Sequence, residues 1–430
     1  MPQAIIGIGF EAGELRFDCI CPGLAPLKAV LTPLKAPRSP DCGAERARVA
    51  RILTGARPGE TAWLQDLEDW GRRAFRDFLP LEIRSLLARP GVTAIHWGIR
   101  SHRAAALPWE LLHDGSDFLA LRLPMGRVLH FSGAIPAGTH SPAGVLILAD
   151  LAGDLAHARQ EGERLQAGFL AGSLPMARAD ERYRRARMHA CVDAETVEEE
   201  LRRARIAHYC SHSINTGRDG TSGWLLKDGK VFDLGRIRKL GAQGPVPAFI
   251  FSNSCSSADP DSEPRQDILT GMAGAFLAAG VSAYLGTLCR LQDDGGGKFA
   301  EAFYRHLGPE RPIADAVLES RKAVGRREPA WAAYVFHGDV AFTLSTGTAQ
   351  PAGTGEPAKS APRRRTPRFM ALAAAAVLVL GSAAAIVFGK KAPPPAPEPA
   401  YDPAAHILYL APGDPPLPAP EKVTPRNARF

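Results

Sequence analysis

Between residues 143 and 343, short apolar runs alternate with longer amphipathic segments. Continuous apolar runs of four to eight residues are typical of strands buried on both faces, and amphipathic segments are typical of helices that cover such a sheet. The alternation therefore predicts the α/β fold class, with a mostly parallel sheet flanked by helices. The predicted strands are 145–149, 206–210, 248–252 and 281–287. The predicted helices are 156–170, 195–203, 267–279, 297–307 and 313–324.

The first 140 residues show a less regular pattern. Residues 5–10 and 15–20 alternate as the two arms of a hairpin, and residues 60–78 have the period of a helix. Residues 107–112 read as a buried turn anchored by Trp109. We expect residues 1–140 to form an N-terminal α/β half that packs against a second half at residues 141–345. Within the second half, the Asp-Gly pair in residues 225–232 predicts a small hairpin.

The C-terminal part of the chain has a different composition. Residues 346–368 are rich in Gly, Pro, Ala, Ser and Thr, which predicts a linker. From Phe369 to Phe388 the sequence is uncharged over about the 20 residues that a helix needs to cross a bilayer. The sequence therefore predicts a single-pass transmembrane helix at residues 369–389. Residues 390–430 are Pro-rich and predict an extended tail.

The charges on either side of this segment predict its orientation. Four arginines, at positions 363, 364, 365 and 368, precede the apolar run, and only two lysines, at 390 and 391, directly follow it. The positive-inside rule then places the N-terminal body in the cytoplasm and the tail outside. Gly381, Ala385 and Gly389 share one helix face, a small-residue pattern that would allow a homodimer to form through the transmembrane helix.

Composition excludes several other classes of protein. The formal charge is +7, but residues 350–430 alone carry ten Lys or Arg against five acids, so the basic character belongs to the membrane-flanking tail and no nucleic-acid partner is expected. The seven cysteines have no regular spacing, which predicts reduced thiols. Cys19, Cys21 and Cys42 lack a second matching pair, so neither a metal nor another cofactor is expected. Gly7, Gly9 and Gly13 do not have dinucleotide-loop spacing.

Two polar segments follow predicted strands and carry groups that could do chemistry. His212 follows the strand at 206–210, and Cys255 follows the strand at 248–252. Because the carboxyl ends of neighbouring parallel strands face a shared crevice, these two side chains could meet there. A thiol becomes a nucleophile when an imidazole takes its proton, and the same imidazole can protonate a departing amine. A buried structural cysteine and a structural histidine remain the alternative interpretation of this pattern.

Five segments, in order and at suitable distances, resemble the CHAT domain, a caspase-like peptidase family related to separase. They are Leu107-Pro-Trp-Glu-Leu-Leu112, the strand Ile206-Ala-His-Tyr-Cys-Ser-His-Ser213, the segment Phe251-Ser-Asn-Ser-Cys-Ser-Ser257, residues 271–288, and Trp331-Ala-Ala-Tyr-Val-Phe-His-Gly-Asp339. The resemblance covers residues 107–342, more than half of the chain. It implies that 1–140 and 141–345 are the two halves of one CHAT-like unit, the second being the caspase-like peptidase half.

The resemblance also implies roles for individual residues. His212 matches the catalytic histidine and Cys255 the nucleophile, with backbone N–H groups at Ser213 and Cys255 as oxyanion donors. His208 and Cys210 match positions without a catalytic role. Ser213 stands where the family usually has glycine.

A further segment bears on substrate specificity. The sequence Leu288-Cys-Arg-Leu-Gln-Asp293 resembles a segment whose aspartate lines the S1 pocket in separase-like peptidases, although Cys289 replaces the usual tryptophan. Asp293 is therefore predicted to bind a basic P1 side chain, because a carboxylate forms charge-assisted hydrogen bonds with Arg or Lys. A solvated acidic turn beside Gly295 is the alternative.

Together with the resemblance, these features predict a membrane-anchored cysteine endopeptidase of the bacterial inner membrane that cleaves a protein substrate. The resemblance implies that it is a regulated effector with a regulatory partner protein. Two alternatives stay open on the sequence. In the first, the chain is a non-enzymatic signalling scaffold with a vestigial Cys/His pair. In the second, the same pair catalyses acyl transfer to an amine instead of hydrolysis.

Overall fold

The computed structural model describes residues 3–11, 13–21, 28–130, 138–214, 222–255, 257, 271–290 and 293–345. None of the helices in these ranges is both long and apolar enough to cross a membrane. The predicted linker, transmembrane helix and tail, together with the small-residue face for a homodimer, all lie outside the described residues.

Among the described residues, eleven strands form one large sheet and three form a small one, in the orders β3-β2-β1-β4-β5-β14-β13-β12-β8-β6-β7 and β11-β10-β9. The strands are β1 (Gln3–Glu11), β2 (Glu14–Cys21), β3 (Lys28–Lys35), β4 (Ala94–Ile99), β5 (Met125–Leu129), β6 (Val145–Ala149), β7 (Arg187–His189), β8 (Ile206–Cys210), β9 (Ser213–Ile214), β10 (Gly223–Leu225), β11 (Val231–Asp233), β12 (Phe249–Ser252), β13 (Ala283–Thr287) and β14 (Tyr334–His337). Neighbours in the large sheet are parallel except at β1–β2, β2–β3 and β13–β14.

The helices of the described ranges lie, singly or in groups, between strands in the sequence. They are α1 (Cys42–Gly55), α2 (Ala62–Phe78), α3 (Leu81–Leu87), α4 (His102–Ala106), α5 (Leu119–Arg122), α6 (Ala156–Leu170), α7 (Pro175–Ala179), α8 (Ala194–Arg202), α9 (Leu234–Lys239), α10 (Met272–Ala278), α11 (Asp293–His306), α12 (Ile313–Val324) and α13 (Ala330–Ala333). The mostly parallel α/β sheet flanked by helices is therefore confirmed.

Side chains of the central strands alternate between two cores. Val145, Ile147 and Ala149 of β6 face the core that contains α6, α11 and α12, whereas Leu146 and Leu148 face the core that contains α8, α9 and α10. Successive residues of a strand point to opposite faces, and both faces of this sheet are covered. This burial explains why the strands of this part are continuous apolar runs in the sequence.

Most predicted elements are confirmed within a few residues, and two helices begin at different positions. The helix predicted at 267–279 begins at Met272, because Gly271 has φ of +90°, a left-handed conformation that does not continue a right-handed helix. The helix predicted at 297–307 begins earlier, at Asp293. The hairpin predicted at 225–232 is the β10–β11 pair with a 3₁₀ turn at Lys227–Gly229.

Strands from both parts of the chain belong to the same sheet. β14, close to the end of the described residues, lies between β5 and β13 and pairs with both. It therefore connects the strands before residue 130 with those after residue 144. The boundary between the two halves at residue 140 stays a prediction.

Candidate active site

A cleft with a volume of about 370 Å³ opens at the carboxyl ends of β8 and β12. The two strands are parallel neighbours, with Ser252 paired to Tyr209, so the segments that follow them leave the sheet on the same side. Both His212 and Cys255 line this cleft. Its lining residues are Leu155, His157, Ala158, Glu161, Cys210, Ser211, His212, Ser213, Asn253, Ser254, Cys255, Thr287, Arg290 and Gly296.

His212 is held by its backbone and contacts a carboxylate through its ring. Its carbonyl accepts hydrogen bonds from the Leu225 N–H at 2.9 Å and from the Tyr209 hydroxyl. Its Nε2 lies 3.2 Å from Oδ1 and 3.3 Å from Oδ2 of Asp154, in the loop between β6 and α6. Because Nε2 makes this contact, Nδ1 is the ring nitrogen that points away from Asp154. No motif distinguishes Asp154 in the sequence, although it follows the carboxyl end of a predicted strand.

Ser213 links the histidine segment to the nucleophile segment. Ser213 pairs with Trp224 in β9–β10, and the Leu225 N–H donates to the His212 carbonyl beside them, so Ser213 and Trp224 form a non-hydrogen-bonded pair. In such a pair the N–H groups point away from the partner strand, and the Ser213 N–H is therefore directed away from β10. The Ser213 hydroxyl donates a hydrogen bond to the carbonyl of Cys255.

Buried hydroxyl groups fix the chain on either side of Cys255. The Ser257 hydroxyl donates to the Ser252 carbonyl at 2.7 Å and accepts from the Thr287 N–H at 3.0 Å. The Thr287 hydroxyl donates to the Ser254 carbonyl at 2.6 Å. Small polar residues here satisfy backbone groups that have left the sheet, as buried backbone groups require. The end of β13 thereby supports the turn that carries the thiol.

A second polar cluster lies beneath the cleft, between β8, α6 and β12. The Glu161 carboxylate accepts from His208 Nε2 at 2.8 Å and from the Asn253 amide at 2.8 and 2.9 Å. The Tyr334 hydroxyl donates to Asn253 Oδ1 at 2.6 Å. His208 is fully buried and Glu161 is 4% exposed. Asn253 is thus anchored two residues before Cys255.

Cys210 belongs to this buried region. Burial raises the pKa of its thiol well above the ordinary value, and the negative charges of Glu161 and Asp150 act in the same direction. A thiol of this kind is protonated and a poor nucleophile at neutral pH. Burial therefore disfavours Cys210 as a nucleophile, and its lack of a catalytic role stays a prediction.

Two described residues near Asp293, the residue predicted to bind the P1 side chain, line the cleft. α11 begins at Asp293, whose side chain is outside the described part of the structure, and Gly296 on the same helix lines the cleft. A Cβ atom at Gly296 would lie 3.0 Å from the Asn253 amide, so glycine allows α11 to approach closely. Arg290 also lines the cleft and is exposed.

The family model of the CHAT domain matches residues 70–339. The match covers more than half of the chain, and the chain belongs to the CHAT domain family. The family is caspase-like, and the fold of this chain resembles that of separase. No curated protein matches the sequence significantly.

Solved structures resemble the fold at low sequence identity. In a crystal structure of the Saccharomyces cerevisiae separase–securin complex, the matching chain has a TM-score of 0.50 and 13% identity, over 78% of this chain and 30% of that one. A second crystal structure of the same complex gives 0.49 and 14%, with the same coverage. A structure described as a protease gives 0.40 and 10%, over 65% of this chain and 69% of that one. The chain thus covers less than a third of the yeast chain.

Proposed function

We propose that this CHAT protein is a membrane-anchored, caspase-like cysteine endopeptidase. The observation that carries the proposal is that His212 and Cys255 line one cleft, at the carboxyl ends of two neighbouring parallel strands. This cleft brings a thiol, an imidazole and backbone N–H groups together in a region that a peptide could enter. Those groups suffice for acyl transfer without a cofactor.

In the proposed reaction, His212 takes the thiol proton of Cys255 as the sulfur attacks the carbonyl carbon of the scissile peptide. The negative charge on the carbonyl oxygen is stabilised by the backbone N–H groups of Cys255 and Ser213. The direction of the Ser213 N–H, away from β10, and the hydroxyl bond to the Cys255 carbonyl support this assignment. His212 then protonates the departing amine, which leaves a thioester on Cys255. Water hydrolyses the thioester with His212 as the base.

Asp154 is the group that would orient His212 in this reaction. With Nε2 directed to the Asp154 carboxylate, the other ring nitrogen is left to exchange a proton with the thiol. This is the arrangement of a nucleophile, a base and a third residue that orients the base. Both side chains are partly exposed, at 38% and 64%, so the contact is weaker than a buried one.

We infer from the resemblance a preference for a basic P1 residue through Asp293. The position of α11 against the cleft supports this inference. The test is a cleavage profile of the full chain on a peptide library, with Cys255→Ala as the inactive control and Asp293→Ala as the pocket variant. We expect cleavage after Arg or Lys, lost in Cys255→Ala and redistributed in Asp293→Ala. A preference for acidic P1 residues would contradict the inference and would point to Arg290.

The membrane anchor and the effector role extend this proposal. The apolar segment at 369–389 and its flanking arginines favour an inner-membrane protein with a cytoplasmic peptidase body. A regulatory partner protein is expected as well, and the yeast separase of the matching structure is in complex with securin. The full chain should remain in the membrane fraction after alkaline carbonate washing, whereas a chain ending at residue 345 should be released. Release of the full chain would contradict the proposal that residues 369–389 anchor the protein in the membrane.

A further inference from the structure

We propose that Glu161, His208 and Cys210 bind a divalent metal ion of the zinc class at the back wall of the cleft. One ligand atom from each residue lies within 4.8 Å of the others. All three side chains are buried, and neither residue of the proposed catalytic pair is among them. The inference is independent of the proposed peptidase activity, because it rests on a different set of side chains.

The local structure directs the three groups to one point. His208 and Cys210 are two residues apart on β8, so their side chains project from the same face of the sheet. Glu161 lies on α6, which packs against that face. Its Oε1 is already 2.8 Å from His208 Nε2.

The distances are close to those of a metal site. Zinc–nitrogen and zinc–oxygen bonds of about 2.0 Å and zinc–sulfur bonds of about 2.3 Å place tetrahedral ligands roughly 3.2–3.6 Å apart. The observed ligand atoms are at most 4.8 Å apart, so displacements of up to about an ångström would bring them to these spacings. The thiol now donates to the Ala158 carbonyl at 3.4 Å, a weak hydrogen bond that a metal bond would replace.

Charge and ligand type favour zinc over harder cations. The two negative charges of a thiolate and a carboxylate, with a neutral imidazole, offset the two positive charges of the metal, and a neutral complex suits a buried site. Metal binding would release the thiol proton of Cys210, whose burial otherwise opposes the thiolate form. Sulfur and imidazole ligands bind zinc, cobalt or nickel in preference to magnesium or calcium.

The surroundings supply an outer shell and a fourth position. The Asn253 amide donates to both carboxylate oxygens of Glu161 and would hold the carboxylate in place through Oε2. Glu161 and Cys210 both line the cleft, so the fourth ligand would come from that side, as water or as a group of a bound peptide. Three protein ligands with one open position distinguish such a site from a closed structural one.

Cobalt(II) is the probe, because a cobalt–thiolate bond gives a near-ultraviolet charge-transfer band that zinc displaces. The full chain with Cys255→Ala is titrated first, so that the thiol of the proposed nucleophile cannot contribute. We expect one cobalt ion per chain, with a band that zinc abolishes. Adding Cys210→Ser should remove the band. Adding Cys191→Ser, a change at a half-buried thiol outside the cluster, should leave it unchanged.

A second variant is a control for the case in which Cys210→Ser loses the band because the chain does not fold. Glu161→Gln keeps the shape of the side chain and should lower cobalt affinity at least about 10-fold, with the far-ultraviolet circular dichroism of the parent. The absence of a band in the Cys255→Ala parent would overturn the proposal. So would a band of equal intensity after Cys210→Ser, or unchanged cobalt affinity after Glu161→Gln in a folded chain.

Discussion

At the scale of single residues, a substitution at Asp154 tests whether its carboxylate orients the imidazole of His212. Asp154→Asn removes the negative charge and keeps the size of the side chain. Exposed ion pairs contribute about 1 kcal/mol or less, so we expect kcat/KM for peptide cleavage to fall about threefold to fivefold. The loss should shrink as salt is raised, because salt screens the wild-type contact.

Asp154→Glu is the matched control, since it retains the carboxylate. It should recover most of the activity. Equal kcat/KM for the wild type and Asp154→Asn at low ionic strength would show that Asp154 does not orient the base.

Glu110 and Arg127 form a second residue-scale feature, a buried ion pair in the N-terminal part. Arg127 is fully buried, and its guanidinium donates to both Glu110 oxygens at 2.8 and 2.6 Å and to the carbonyls of Ala105 and Leu107. Removal of one partner leaves an uncompensated buried charge. Arg127→Met should therefore lower the free energy of unfolding by about 3–5 kcal/mol, measured by urea denaturation.

The exposed pair Arg305–Glu301 on α11 provides the comparison. Arg305→Met should change the free energy of unfolding by no more than about 0.5 kcal/mol. The double variant Glu110→Leu with Arg127→Met should be more stable than Arg127→Met alone, because the buried Glu110 carboxylate is removed together with the guanidinium that binds it. A loss below about 1 kcal/mol in Arg127→Met would contradict this account of the pair.

The predictability of site residues differed according to where they lie. His212 and Cys255 could be found because each follows a strand end and matches a motif. Glu161 could not be found in the same way, since one acid within an amphipathic helix has the sequence appearance of a surface residue. Its role depends on the neighbours that β8 and β12 bring to it. Asn253 lies within the nucleophile segment, and its bonds to Glu161 and Tyr334 likewise depend on neighbours that only the fold brings together.

Among the elements, β14 joins strands that are far apart in sequence. It pairs with β13 in the antiparallel direction and with β5 in the parallel direction. It was not predicted as a strand, because its four residues directly follow α13 and end in a histidine. β5 was missed because Arg127 interrupts an otherwise apolar run. In both strands a buried polar residue obscures the pattern that made β6 and β12 predictable.

His337 on β14 predicts a pH dependence of stability. Burial lowers the pKa of its ring to about 3, and the positive charge of Arg127 acts in the same direction. The ordinary value is 6.5, so below that pH the unfolded chain binds a proton that the folded chain does not. The contribution of His337 to the free energy of unfolding is therefore fully present above pH 6.5. It is lost as the pH falls toward 3, by up to about 1.4 kcal/mol per pH unit.

Replacement of the ring tests this contribution. His337→Leu removes the titrating group and leaves no buried nitrogen, and both ring nitrogens of His337 lack a hydrogen-bond partner among the described residues. The free energy of unfolding of the variant, followed from pH 7 to pH 4, should fall less steeply than that of the wild type. An identical slope in the two proteins would exclude His337 as a source of acid sensitivity.

At the scale of the molecule, the large sheet, which has eleven strands in the part of the chain that the structure describes, supports the cleft through β8, β12 and β13. β8, β12 and β13 are adjacent, and their carboxyl ends supply His212, Cys255 and Thr287. The α/β class could be predicted because strands covered on both faces leave long apolar runs. The order of the strands in the sheet could not be predicted, because it is set by pairings between strands that are distant in the sequence, such as β14 with β5.

The central claim is that this sheet brings His212 and Cys255 together as a base and a nucleophile. The most direct measurement is the rate at which an electrophilic peptide probe labels the full chain, with the modified residue identified by mass spectrometry. We predict labelling at Cys255, with a rate at least about 100-fold lower in His212→Ala. Failure to label Cys255, or an equal rate in His212→Ala, would contradict the account and would favour a non-enzymatic scaffold.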